Sequence, residues 1–290
     1  MRTKQEMMEL ILNVANKDDR IRAVAMNGSR TNPNAPVDPF QDFDIVYLVS
    51  EMESFLHDPR WVDVFGERII MQTPENMSLF PPTLGDRFTY LMLFTDGNRI
   101  DLMLIPVAEK DIYCQEDKLT VVLLDKDQLL PEVLPPSDED YWVKRPSAEF
   151  FADCCNEFWW VSTYVAKGLW RKEILYAQDH LQKIMGPMLL KMLEWQVGIQ
   201  TDFSVSTGKN GKYLQKYMTE ESWNELLSTY ADGSYEDVWR ALTAMTRLFR
   251  KNALFVAAHF GYEYPHQDDQ RVSAYLDHVS SLPSDASNIF

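Results

Sequence analysis

An apolar run, Ile21-Arg22-Ala23-Val24-Ala25-Met26, ends in Asn27-Gly28-Ser29-Arg30, and a second, Asp42-Phe43-Asp44-Ile45-Val46-Tyr47-Leu48-Val49, opens with two carboxylates on alternate residues. Both runs read as strands, and strand side chains alternate faces with a period of two. Asp42 and Asp44 therefore share one face, while Phe43 and Ile45 take the other, toward a core. Between the strands, Pro33, Pro36 and Pro39 keep Thr31 to Gln41 out of helix and central strand and make it a stiff connector. Carboxylates side by side repel unless a cation lies between them, so the pair asks for a metal. Hard oxygen ligands favour Mg²⁺, which keeps waters and completes its shell with substrate phosphates. Gly28 and Ser29 would offer backbone N–H groups as an anion cradle. Metal beside a phosphate seat is the chemistry of nucleotide transfer. A lone D-x-D at a strand start is common and often marks only a solvated strand end. Here a third acid joins it, inside the apolar run Asn98-Arg99-Ile100-Asp101-Leu102-Met103-Leu104-Ile105. An acid within such a run is unexpected unless it is paired or binds metal.

Composition narrows the partners. At 290 residues the chain is long enough for two cores. Its 28 Lys+Arg against 44 Asp+Glu leave a net charge of −16, which opposes nucleic-acid binding because that needs a basic surface. An acidic cleft suits a cationic small molecule, although net charge alone is equally served by solubility. Cys114, Cys154 and Cys155 have no metal-ligand spacing and read as reduced thiols. Five unclustered histidines argue against zinc. No stretch has the length and apolarity of a signal peptide or membrane span, so a cytoplasmic protein without a membrane partner is expected.

In chain order, residues 3–16 place Met7, Met8, Leu10, Ile11 and Val14 at helical spacing. Short helical pieces at 51–56 and 58–65 precede a strand at 67–72. Residues 86–94 and 99–105 read as strands joined by Thr95-Asp96-Gly97-Asn98, an Asp-Gly hairpin signal, and 119–125 as one more strand. Asp101 is thereby expected in the same sheet as Asp42 and Asp44. Pro131, Pro135, Pro136 and the acidic Ser137-Asp138-Glu139-Asp140 mark a linker, giving domains at 1–135 and 136–290. Everything beyond is helical in pattern. Helices are expected at 147–166 with Gly168 near the end, and at 172–197 with a kink at Gly186-Pro187. Others follow at 220–230 capped by Thr219, at 235–260 capped by Ser234 and ended by Gly261, and at 268–281. Phe150, Phe151, Phe158, Trp159, Trp160, Tyr164 and Trp170 are assigned to the helical core, with the alternative that some of these rings line a substrate cleft.

Two basic features remain. Thr207-Gly208-Lys209-Asn210-Gly211-Lys212-Tyr213 frames two lysines with glycines but lacks P-loop spacing. It reads either as a surface turn or as a loop whose Lys209 and Lys212 reach a triphosphate. Arg30 reads either as a phosphate contact or as plain surface charge.

The strings Met26-Asn27-Gly28-Ser29-Arg30-Thr31-Asn32-Pro33, Gln41-Asp42-Phe43-Asp44, Phe94-Thr95-Asp96-Gly97-Asn98-Arg99-Ile100-Asp101-Leu102 and Gly208-Lys209-Asn210-Gly211-Lys212-Tyr213-Leu214 together resemble a known family. They are similar to the bacterial aminoglycoside 6-adenylyltransferases that modify streptomycin, within the nucleotidyltransferase superfamily. The Gly-Ser and D-x-D elements alone are shared with DNA polymerase β relatives and poly(A) polymerases and say little about the acceptor. The longer strings are more specific, and the likeness extends over nearly the whole chain. It implies an α+β fold: an N-terminal mixed β-sheet with flanking helices and a C-terminal all-α bundle, with ATP and acceptor between them. It implies transfer of AMP from ATP to the 6-hydroxyl of the streptidine ring, with release of pyrophosphate. Asp42 and Asp44 would hold Mg²⁺, Gly28 and Ser29 would grip the β- and γ-phosphates, and Asp101 would be a further metal ligand or the base. Asp179, near Glu173 and His180 on the expected second helix of the bundle, would act as a second base or pair with an acceptor guanidinium. A solvated helix face is its plain alternative. A nucleotidyltransferase with another small-molecule or protein acceptor, and a catalytically silent binding module, stay open. So does the oligomeric state.

Overall fold

The computed structural model describes residues 1–290, which divide into two compact units, Met1–Asp140 and Tyr141–Phe290. The first is built on six strands: β1 (Ile21–Asn27), β2 (Phe43–Val49), β3 (Arg68–Gln72), β4 (Phe88–Phe94), β5 (Arg99–Pro106) and β6 (Val121–Asp125). They form one sheet in the order β3-β4-β5-β2-β1-β6. Only β2 and β5 run parallel; every other neighbouring pair is antiparallel, so the sheet is mixed. The β4–β5 hairpin turns through Asp96-Gly97 as its sequence signals, with Gly97 N–H donating to the Phe94 carbonyl at 2.9 Å.

Period-two alternation splits the sheet into two faces. Phe43, Ile45 and Tyr47 of β2 and Ile100, Leu102 and Leu104 of β5 point to one side. There helix α1 (Lys4–Lys17) lays down Met7, Ile11 and Ala15, all fully buried at i, i+4 spacing. A Thr3/Glu6 capping box starts α1, and the Tyr47 hydroxyl donates to the Ile11 carbonyl at 2.7 Å. Val46, Leu48 and Ile105 occupy the opposite face, covered in part by Tyr113. That tyrosine belongs to a helix the sequence reading did not anticipate, α3 (Lys110–Glu116), whereas the short helical piece expected at 51–56 is present as α2 (Glu53–His57). In α3 only Tyr113 is buried and Ile112 lies 60% exposed, too little apolar periodicity to register as a helix.

The second unit is helical throughout: α4 (Ala148–Trp170), α5 (Ile174–His180), α6 (Gly186–Gln200), α7 (Glu220–Leu227), α8 (Tyr235–Phe260) and α9 (His266–Ser281). The caps read from sequence are present, Thr219 Oγ1 accepting from Ser222 N and Ser234 Oγ from Asp237 N, each at 3.2 Å. Two expectations need correcting. Helix α4, expected to 166, runs on to Trp170 past Gly168, whose missing Cβ would stand 2.9 Å from the Tyr176 ring and 3.2 Å from Ala177, so the glycine lets α5 approach. The irregularity expected at Gly186-Pro187 is a π-helical turn over Leu181–Met185, just ahead of the proline. Pro187 has no N–H for the carbonyl one turn back and its ring crowds it, and the wider turn absorbs both defects. The aromatic assignment is also only partly met. Phe151, Phe158 and Trp159 are buried, with Phe158 stacked on Phe249 at 3.7 Å, whereas Phe150 and Trp160 lie 48% and 59% exposed.

One ion pair ties the bundle together. Arg250 on α8 donates to Asp269 on α9 at 2.6 Å, and the same carboxylate accepts from the Tyr264 hydroxyl at 2.7 Å and from Ser273 at 3.0 Å. Burial alone would raise the Asp269 carboxyl, but these bonds together hold it below the usual range. Arg250→Met is expected to lower the unfolding free energy by about 3 kcal/mol, because it strands a nearly buried carboxylate. The urea midpoint measures this, and a change within about 0.5 kcal/mol would remove the pair from the account of stability.

Candidate active site

The turn after β1 and the first residues of β2 are bound to each other by geometry. Gly28–Arg30 form a single 3₁₀ turn. Gly28 has φ +73°, and a Cβ there would lie 2.1 Å from Asp44 Oδ2. Only glycine satisfies both the left-handed backbone and that approach. Asn27 pairs in register with Asp44 across the antiparallel ladder, and Asp101 stands opposite Asp44 across the parallel one. Strands in a sheet are about 4.8 Å apart, so the two carboxylates start from neighbouring rungs on the same face. Asp42, two residues before Asp44, lies on that face too. The structure thus brings Asp42, Asp44, Asp101 and Gly28 together, on the side opposite α1.

Side chains around the turn hold it in place. Asn27 Nδ2 donates to Thr120 Oγ1 at 2.7 Å, while its Oδ1 accepts from the Tyr113 hydroxyl at 2.7 Å. Thr31 Oγ1 lies 2.9 Å from the Gly28 carbonyl and 3.0 Å from that of Leu119. Arg30 is turned toward its own connector. Its Nε donates to the Asp42 carbonyl at 2.9 Å, its Nη2 to that of Gln41 at 2.6 Å, and its guanidinium lies over the Phe43 ring at 3.8 Å. It therefore clamps the entry to β2, and through it the position of Asp42. Ser29 follows Gly28 in the same turn, its carbonyl accepting from Gln41 Nε2 at 3.3 Å.

The electrostatics are those of crowded acids. Burial, then Asp101, then Asp42 push the Asp44 carboxyl up to about 6. Burial also raises Asp42, against the pull of Arg99. Arg99 forks onto Asp101, with Nε and Nη2 each 2.7 Å from a carboxylate oxygen, and its Nη1 stands 3.7 Å from Asp42. Two cavities adjoin the cluster. One of about 420 Å³ is lined by Asn27, Gly28, Asp44, Asp101, Arg87 and Tyr113. The other, about 540 Å³, is lined by Phe40, Asp42, Ile70, Leu91, Leu93 and Arg99. Arg87 is already matched, at 2.7 Å to Glu109 and 2.6 Å to Glu116.

As the side chains stand, no three His, Cys, Asp or Glu residues are grouped so that they could hold a metal ion by themselves. The donor set instead fits a hard divalent cation whose shell is only partly protein. It offers hard oxygens on adjacent strands, with the Asp44 charge disfavoured by burial and then by the other two carboxylates, beside a glycine whose missing Cβ lets Asp44 Oδ2 close in on the turn.

The remaining candidates lie in the helical unit. Lys209 opens a 3₁₀ turn, Lys209–Gly211, and lines a cavity of about 700 Å³ with Lys144, Arg145, Lys191, Glu194 and Trp195. Lys212 places its ammonium 5.0 Å from the Tyr213 ring centre. Asp179 lies on exposed helix α5 and is paired with Lys183 one turn on. Sequence reading gave no role to Arg99, although period two puts it on the face of Asp101. It also passed over Glu194, half-buried with its carboxyl raised by burial and bonded by Thr207 Oγ1 at 3.1 Å.

The chain matches the streptomycin adenylyltransferase family model over residues 1–279. Among curated proteins it is 49% identical over 270 residues to the aminoglycoside 6-adenylyltransferase of Bacillus subtilis (strain 168), covering 93% of this chain and 95% of that one. With the Campylobacter jejuni protein of the same name it shares 47% over 276 residues, 95% of each chain. A crystal structure of an aminoglycoside 6-adenyltransferase from Bacillus subtilis aligns with 97% of this chain and 100% of its own at 43% identity, with a TM-score of 0.49. These relatives are nucleotidyltransferases. The chain belongs to the streptomycin adenylyltransferase family, whose members take a nucleotide as substrate. No helix in it is long and apolar enough to cross a membrane.

Proposed function

We propose that this protein transfers AMP from ATP to the 6-hydroxyl of a streptomycin-like aminoglycoside, releases pyrophosphate, and so confers resistance to the drug. The observation that carries this reading is Asp44 opposite Asp101 on one sheet face, against Gly28, in a chain that shares close to half its residues with named aminoglycoside 6-adenylyltransferases. The unit 1–135 would act on the nucleotide and 136–290 would hold the acceptor. The enzyme would work in the cytoplasm, where ATP is supplied, with neither nucleic acid nor membrane as partner.

Asp42, Asp44 and Asp101 would hold Mg²⁺, which when bound neutralises triphosphate charge and the leaving pyrophosphate. Gly28 and Ser29 present main-chain N–H groups to the β- and γ-phosphates. Arg30 fixes the backbone of Asp42 and thereby its carboxylate. The acceptor hydroxyl has a pKa far above neutral, and Asp101, as the alternative to being a metal ligand, would take its proton. Lys209 and Lys212 would supply positive charge for the triphosphate. Asp179 offers a planar carboxylate to an acceptor guanidinium, in exchange for Lys183.

The test uses ATP, Mg²⁺ and a panel of aminoglycosides, read by pyrophosphate release and product mass. Streptomycin-dependent release with a mass gain of one AMP is expected. Release with a different acceptor, or with none of the panel, would overturn the assignment of substrate.

A further inference from the structure

The acids of the sheet face already have a cation in contact with them. Arg99 grips both oxygens of Asp101 at 2.7 Å and reaches within 3.7 Å of Asp42. Of the other guanidinium groups nearby, Arg30 faces the Gln41 and Asp42 carbonyls and the Phe43 ring, and Arg87 is held by Glu109 and Glu116. A forked guanidinium uses both carboxylate oxygens at once. A divalent ion needs at least one of them, so the two cations compete for Asp101. Arg99 also has somewhere to go: its side chain is 42% exposed and it lines the 540 Å³ cavity beside Phe40, Ile70, Leu91 and Leu93.

We propose that Arg99 is a displaceable counter-ion that holds Asp101 and Asp42 in the nucleotide-free protein and must withdraw before a divalent cation binds there. The inference rests on reading these acids as metal ligands. The Arg99–Asp101 pairing energy is subtracted from the affinity for free metal, because only the withdrawn conformer is competent to bind. A metal ion arriving already attached to a triphosphate brings further contacts to offset that loss. The site therefore discriminates against bare metal and favours the metal–nucleotide complex.

Mn²⁺ titration of the full nucleotide-free chain, followed by the spin-resonance signal of free Mn²⁺, tests this without turnover. Arg99→Gln is expected to bind Mn²⁺ about tenfold more tightly than the native chain, a factor equivalent to about 1.4 kcal/mol. Arg99→Lys, which keeps the charge but loses the fork, is expected to fall between them. A merely structural arginine would give the opposite sign, since its loss would disorder the carboxylates and weaken binding. Equal or weaker Mn²⁺ affinity in Arg99→Gln, with the circular-dichroism spectrum unchanged, overturns the proposal. If Arg99→Gln does not fold, the same criterion applies to Arg99→Lys. Asp44→Asn separates this from the underlying reading. Loss of Mn²⁺ binding there keeps the metal site whatever Arg99 does, and unchanged binding removes the site itself.

Discussion

Asp44→Asn is expected to leave the chain folded and to cut AMP transfer about a thousandfold or more, equivalent to about 4 kcal/mol of transition-state stabilisation. Its carboxylate stands opposite Asp101 and against Gly28, where no other acid can replace it. The stability effect should run the other way. With the folded carboxyl raised to about 6 by burial, then Asp101, then Asp42, the metal-free folded state holds its proton more tightly than the unfolded chain. Stability from this group is thus fully present below about pH 4 and is lost as pH rises from there through about 6, to a total of roughly 3 kcal/mol. Asparagine cannot ionise, so the variant should be more stable than the native chain at pH 7 to 8 in metal-free buffer and equal to it near pH 4. Pyrophosphate release and denaturant midpoints at the two pH values measure both effects. Turnover within tenfold of the native chain would take Asp44 out of the chemistry. A variant that is less stable at pH 8 would show that the crowding of the acids is relieved in some other way.

Gly28→Ala is expected to be the most damaging single-methyl change in the first unit. The new Cβ would meet Asp44 Oδ2 at 2.1 Å, so the carboxylate must leave its place. Alanine at φ +73° adds backbone strain of about 1–2 kcal/mol. Activity should fall about a hundredfold or more, because the displaced group is the one proposed to hold the metal at the reacting phosphates. Gly85→Ala is the control: its φ is +65°, yet a Cβ there meets nothing within 4 Å. It carries the same backbone strain and should lose stability without losing kcat. If the two variants have the same kcat, close approach to Asp44 is not why position 28 is glycine.

Much of this site could be read from local sequence because it depends on alternation within a strand. The shared face of Asp42 and Asp44 follows from period two, and Asp101 stood out as an acid inside an apolar run. Its pairing with Asp44 was not legible. Two parallel strands separated by 57 positions take their register from the whole sheet, not from either segment. Arg99 was overlooked because a charged residue at a strand start looks solvated until its partner is known. Tyr113 was overlooked because α3 is too short and too little buried to show a period. In the helical unit the caps at Thr219 and Ser234 were legible from residue type. The π-helical turn before Pro187 was not, since sequence marks the defect but not which residues absorb it.

The parallel ladder between β2 and β5 has a consequence for how such an enzyme tolerates change in length. Its carboxylate spacing is written in main-chain bonds, so inserting or deleting one residue within either strand would turn every later side chain to the opposite surface. The middle of the connector, residues 32–40, carries no ladder and tolerates a change of length better than the strands do, its ends being tied by Thr31 and Gln41. Lineages descended from this architecture can therefore remodel the walls around a substrate while inheriting an unaltered catalytic ruler.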